Sequence, residues 1–185
     1  MEAVTPAPIE IRPFRACDAA ACRRLFAEGR LGDRGPDADD PGTDVEFVEK
    51  HYLGQGSGFW VATAADGPIA GEVVGMIGVL RHDDGTAEVR RLRVDARYRR
   101  RGIGAALVEE ALRFCQAGGY LRIIMDTYME RQPAVQLFQK FRFQHGRTRQ
   151  GKTKDRLYFY LDLYGGDGRH QASGEGAADA VQTNG

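Results

Sequence analysis

The chain has 185 residues, 42% of them hydrophobic and 28% charged, with 26 basic and 26 acidic side chains. That balance fits one soluble domain with a core large enough to need no disulfide or metal staple. Three cysteines without CxxC spacing and four scattered histidines point to neither a disulfide framework nor a zinc site. No run of about 20 apolar residues is present and the N-terminus lacks a basic patch followed by an apolar stretch, so no membrane span or secretory signal is expected and the compartment is read as cytoplasmic.

Residues 1–8 are small and proline-bearing and are expected to be flexible. Ile9 to Phe14 alternates as a short strand, Asp18 has the chemistry of a helix N-cap, and the helix runs to about Glu28. Gly29 to Thr43 is rich in Gly, Pro and Asp and predicts a long loop, followed by a helical stretch, Asp44 to Tyr52, with Val45, Val48 and Tyr52 inward. Gly58 to Ala64 and Val73 to Arg81 are apolar strands of a hairpin, and His82 to Gly85 turns into a third strand, Thr86 to Val94. In that strand Val89 is odd-numbered while Leu92 and Val94 are even-numbered. One face holds all three only if an extra residue intervenes, which predicts a β-bulge near Arg90 and Arg91.

Arg97, Arg99, Arg100 and Arg101 crowd the next turn, and Gly102 and Gly104 let backbone approach a ligand without Cβ interference. A helix follows at once, with Ile103, Leu107, Ala111 and Phe114 on one stripe and Gly118–Gly119 at its end. Its first amides and dipole face the arginines, so an anion such as a phosphate or pyrophosphate suits the turn. Residues 1–80 carry 7 basic and 13 acidic side chains, and residues 81–164 carry 18 and 10. The positive charge peaks at this turn, without an RNP-like strand, zinc finger or helix-turn-helix pattern, so no nucleic-acid partner is expected.

Leu121 to Met125 is a short strand that, reached through a helix, should lie parallel to Thr86–Val94. Pro133 opens another helix bearing Ala134, Leu137, Phe138 and Phe141. Phe143–Thr148 and Arg156–Leu163 form a final antiparallel hairpin, and residues 165–185 have the composition of a disordered tail.

The run LRVDARYRRRGIGAALVEEAL, with Arg99, Gly102 and Gly104 in an RxxGxG pattern after a strand and before a helix, resembles the acetyl-coenzyme A binding motif of the GNAT superfamily of N-acetyltransferases. RQPAVQLFQKFRF, Arg131 to Phe143, is similar to the family's second signature, with Arg131, Phe138 and Arg142 where Asn, Tyr and Gly are usual. The resemblance spans roughly residues 9–164 and implies an α/β fold. Its mixed, mostly antiparallel sheet has about seven strands, splayed between the fourth and fifth and flanked by four helices. It also implies that Leu92, Arg93, Val94, Arg99, Arg100, Arg101, Gly102, Ile103, Gly104 and Ala105 hold acetyl-coenzyme A, with no metal.

The implied reaction moves acetyl to a primary amine of a small molecule or protein by direct attack in a ternary complex. Glu88, eleven residues before Arg99, matches the position of a general base in some members, and its other role is a strand-end carboxylate pairing with Arg90 or Arg122. Phe138 cannot donate a proton, which leaves Tyr128, Tyr158 or solvent to protonate the thiolate. The acidic stretch Asp33–Asp44 favours a cationic acceptor. No membrane partner is expected, the assembly is a monomer or homodimer, and the second reading is a coenzyme A binding module without catalysis.

Overall fold

The two most apolar stretches, β2 (Gly58–Ala64) and β3 (Val73–Arg81), pair antiparallel and are buried on both faces, as near-continuous apolar strands must be. Around them a computed structural model, described for residues 8–28, 40–65, 70–129, 131–150 and 155–164, places β1 (Ile9–Pro13), β4 (Thr86–Val94), β5 (Arg122–Tyr128), β6 (Gln144–Arg149) and β7 (Arg156–Asp162). The sheet order is β1-β2-β3-β4-β5-β7-β6, antiparallel except for β4 and β5. The expected seven-stranded mixed sheet is therefore present. The expectations for residues 1–7, 29–39 and 165–185 lie outside the described residues.

The helices are α1 (Ala19–Glu28), α2 (Thr43–Glu46), α3 (Val48–Tyr52), α4 (Ile103–Ala117) and α5 (Gln132–Lys140). α2 and α3 are one helical stretch interrupted at Phe47, with Val45, Val48 and Tyr52 buried as the pattern required. One face of the sheet packs on α4 and α5 through Leu107, Val108, Ala111, Val135 and Phe138. The opposite face packs on α1 to α3 through Cys22, Leu25, Phe26, Val45 and Tyr52, but only over the β1 to β4 half.

Two local expectations change, and the strand order adds a third finding. Asp18 closes a 3-10 turn, Ala16–Asp18, and its carboxylate accepts from the Arg15 amide and both Arg12 nitrogens, so it ties α1 back to β1 and does not cap α1. The strand read as Leu121–Met125 runs from Arg122 to Tyr128, because its alternation continues through Thr127 while Leu121 is exposed. β7 inserts between β5 and β6. Its alternating Leu157, Phe159 and Leu161 need the buried central position, whereas β6 is exposed throughout.

Candidate functional site

β4 and β5 pair in parallel from Thr86/Arg122 to Val89/Met125, and there the pairing stops. On the other side of β4, Gly78 pairs with Arg90 and Met76 with Arg93, so Arg91 and Leu92 together face Ile77. This is the predicted bulge, and Arg91 has φ of 60°. The bulge bends β4 away from β5 and leaves its β5-facing edge unpaired beyond Val89 among the described residues. It also restores the alternation: Ala87, Val89, Leu92 and Val94 all pack toward α4. Arg91 and Arg93 point the other way, over the Phe26 ring of α1 at 4.9 and 5.8 Å.

Arg91 is buried, and two carboxylates hold it. Nε and Nη2 donate to Asp44 at 2.7 and 2.5 Å, and Nη1 and Nη2 donate to Asp40 at 2.6 and 2.7 Å. The Tyr52 hydroxyl also donates to Asp44. Burial alone would raise the pKa of both aspartates, but the bonds from Arg91 outweigh it and hold both below the usual carboxylate range. Gly42, just before α2, has φ of 76° and lies so close to Phe26 that a Cβ would fall 2.2 Å from the ring. The acids of the predicted acidic stretch that are described, Asp40 and Asp44, both bond Arg91.

Beyond Val94 the chain forms the cationic turn. Arg97 leaves it, its guanidinium bonding Asp95 and Glu72, while Arg99 donates to the Val94 carbonyl at 3.2 Å and Arg101 lies 5.3 Å over the Tyr98 ring. Arg100 has φ of 63°, so this position, glycine in many relatives of the motif, keeps its left-handed backbone despite a Cβ. Gly102 is the N-cap of α4 at φ 81°, and no side chain caps the helix. The first intrahelical bond runs from the Ala106 amide to the Gly102 carbonyl, so the amides of Ile103, Gly104 and Ala105 have no acceptor within the helix. At Gly104 a Cβ would sit 3.3 Å from Leu137 of α5.

On the α1 side of β4, Glu88 lies in a groove of about 310 Å³ with Asp126, Arg122, Arg147, Tyr158 and Tyr160. Burial raises the Glu88 pKa; Arg90, 3.5 Å away, pulls it down and nearby Asp126 pushes it up, with a net rise. Two other acids of these strands are engaged: Asp126 pairs with Arg156 at 3.2 Å, and Asp95 is buried in bonds to Arg97 and Arg24. Tyr128, the last residue of β5, accepts a 2.9 Å bond from Arg156 and stands on the Glu88 side, since Ile123, Met125 and Thr127 are the buried residues of that strand. Tyr158 shares the groove, beneath the Arg147 guanidinium at 4.7 Å. Phe138 is buried against Phe143 and Phe159. Arg131 is the N-cap of α5.

Glu88, where β4 and β5 still pair, and Tyr128, at the end of β5, thus share one face of the sheet, and Leu92, Val94 and the Arg99–Ala105 turn follow along the chain beyond the last β4–β5 pair. Sequence reasoning missed the Arg91 clasp and the half-buried Arg93, whose Nε is enclosed. The available signal was three arginines, 90, 91 and 93, in a strand whose neighbours are apolar.

A family model described as "Acetyltransferase (GNAT) family" matches residues 21–143. Human N-acetyltransferase 8 is 39% identical over 107 residues, 55% of this chain and 45% of that protein. N-acetylaspartate synthetase of Xenopus tropicalis is 34% identical over 105 residues, 56% of this chain and 37% of that protein. The chain therefore spans less than half the length of these curated relatives. Among solved structures, a GNAT-family acetyltransferase of Staphylococcus aureus Mu50 superposes with a TM-score of 0.72 at 21% identity, covering 84% of this chain and 99% of that one. Arabidopsis thaliana NAA60 in complex with acetyl-CoA gives 0.69 at 18% identity, covering 85% and 100%.

Proposed function

The chain belongs to the acetyltransferase (GNAT) family, and from that premise we propose that it transfers the acetyl group of acetyl-CoA to a primary amine in a ternary complex. The observation that carries this reading is the end of β4–β5 pairing at Val89/Met125 beside the bulge. It leaves one strand edge open toward the pantetheine arm and leads to the α4 amides at the phosphate end. The residues fit the co-substrate: Gly102 keeps a left-handed backbone with open space where a Cβ would point, and three first-turn amides face outward. Leu92 to Val94 offer backbone groups to the arm, and Arg99, Arg100, Arg101 and the Gly102–Ala105 backbone hold the pyrophosphate. Acetyl-CoA supplies the activated acyl group.

Glu88 takes the proton that the amine nitrogen loses as the new N–C bond forms and the C–S bond breaks, and Tyr128 returns a proton to the departing sulfur. A lysine-like amine with pKa about 10.4 is neutral in only about one molecule in two thousand at pH 7, so a carboxylate with a raised pKa beside it is useful. Relatives named as N-acetyltransferases, and one named for N-acetylaspartate, support a small-molecule amine as acceptor. The test is thiol release from acetyl-CoA with a panel of amines. Amine-dependent release is expected; tight acetyl-CoA binding with no release on any amine would reduce the protein to a coenzyme A binding module.

A further inference from the structure

Arg93 stands two residues past Arg91 on the same face of β4, yet its surroundings differ in the one respect that matters for a buried cation. Arg91 has Asp40 and Asp44. Arg93 donates from Nη1 to the Leu92 carbonyl at 2.9 Å and lies over Phe26, while its Nε is buried without a hydrogen-bond partner. No carboxylate among the described residues forms an ion pair with it. Burial pushes its pKa down, Arg131 and Arg91 push it further, and the charge of Asp40 offsets part of this, leaving it at about 9. Burial also lowers the pKa of Arg131. A guanidinium in this setting is a cation short of an anion, since a buried charge is stable only when paired.

Two anions are available in the reaction, the cofactor phosphates and a group on the acceptor, and the faces of β4 separate them. The phosphate end of the site belongs to the α4 side, where Val94 packs and where Gly104 meets Leu137 and Val94. Arg93 is on the α1 side, with Glu88 and Tyr128, where the amine reacts. Its Nε and adjacent Nη form the edge that matches the two oxygens of a carboxylate.

We propose that Arg93, whose setting the nearby charge of Arg131 makes more cationic, is a carboxylate-binding subsite for the acceptor, so that the preferred amine carries its own anion, as an α-amino acid does. Polyamines and lysine-type amines lack that group and meet a cationic wall. The inference rests on the acetyl-transfer reading and assigns the charge class of the acceptor and the residue that reads it.

The test compares free amino acids with their carboxamides, which keep the same side chain and amine but lack the carboxylate, and with spermidine. Wild type should favour the acids by roughly 10- to 100-fold in kcat/KM, the range of a charge-assisted pair. Arg93→Met should erase that preference through a raised KM for the acids, so that the kcat/KM values of acids and carboxamides converge, and should keep the wild-type melting temperature or exceed it. Arg93→Lys, which preserves charge and guards against misfolding, should retain part of the preference. Carboxamides or spermidine acetylated as well as the acids would overturn the inference while leaving acetyl transfer standing. A fall in acetyl-CoA affinity in Arg93→Met, with selectivity intact, would also overturn it and make Arg93 a phosphate contact. No transfer to any amine would remove the reading beneath it.

Discussion

Arg91 donates to both oxygens of Asp44, from Nε at 2.7 Å and Nη2 at 2.5 Å, and so fastens the bulge of β4 to α2. The bulge exists because β4 carries one residue more than β3 can pair, and Arg91 is the residue left over, at φ 60°. A non-glycine residue in this region is strained and persists only where its surroundings over-determine it. Asp40 and Asp44 do so from a segment about fifty residues earlier, which links the wedge for the cofactor to the chain leading into α2.

Arg91→Ala removes a buried cation and leaves two carboxylates behind, one of them almost fully enclosed, so a loss of about 3–5 kcal/mol is expected. Asp40→Asn should cost less, because Asp40 is more exposed and Asp44 still holds the guanidinium. Urea unfolding of the two variants measures both. Equal losses would mean that the bond to Asp40 carries the whole of the clasp and that burial does not decide which bond matters.

Arg142 has φ of 63° where the family's second signature usually has glycine. The left-handed conformation costs an L-residue roughly 1–2 kcal/mol, against about 0.5–1 kcal/mol for glycine's greater freedom in the unfolded chain. Arg142→Gly should therefore stabilise by about 0.5–1 kcal/mol, seen as a melting temperature raised by a few degrees. A lower melting temperature would show that the Arg142 side chain contributes more than its backbone strain removes.

The fold was legible because each element announces itself locally. Val89 against Leu92 and Val94 breaks parity, and that alone located the bulge; Gly118–Gly119 ends α4, with Gly119 at φ 73°. What stayed hidden depends on contacts remote in sequence. No local pattern says that Asp40 and Asp44 both bond Arg91. Nor does one say that β7 enters between β5 and β6, or that the Arg93 Nε is enclosed, since both are decided by which neighbours cover them. Glu88 and Tyr128 were placed by resemblance and spacing, and the structure adds the groove and the neighbours around them.

Acid should destabilise the protein through identifiable carboxylates. Asp40 and Asp44 are held low by Arg91 against the opposing effect of burial, Asp18 by Arg12 and the Arg15 amide against the same effect, and Asp95 chiefly by the bond from Arg97. Each folded pKa lies below the unfolded value of about 3.9, so the unfolded chain binds more protons as pH falls. The stabilisation is complete above about pH 5 and is lost as pH drops through the folded values. Arg91→Met should show a shallower loss between about pH 5 and pH 2, because Asp40 and Asp44 no longer differ from their unfolded state in the same direction. Identical slopes for wild type and variant would remove these two acids from the account.

Glu88 titrates in the opposite sense, and that gives the mechanism its sharpest test. Burial raises its pKa, only partly offset by Arg90, while Asp126 adds to the rise. The carboxylate, the form able to take a proton, is populated above that raised value and disappears as pH falls through it. At saturating amine, kcat reports groups in the ternary complex, so its acidic limb should lie above the ordinary glutamate pKa of about 4.3. Glu88→Gln keeps the shape of the side chain and cannot accept the proton. It should bind acetyl-CoA as wild type does, turn over about 10² slower at neutral pH, and recover in part as pH rises and the amine deprotonates unaided. The pH–rate profiles of the two proteins between pH 6 and 9, taken with the best amine from the thiol-release panel, decide the matter. Equal turnover across that range would leave desolvation and positioning by β4 as the source of the rate, with Glu88 reduced to the partner of Arg90.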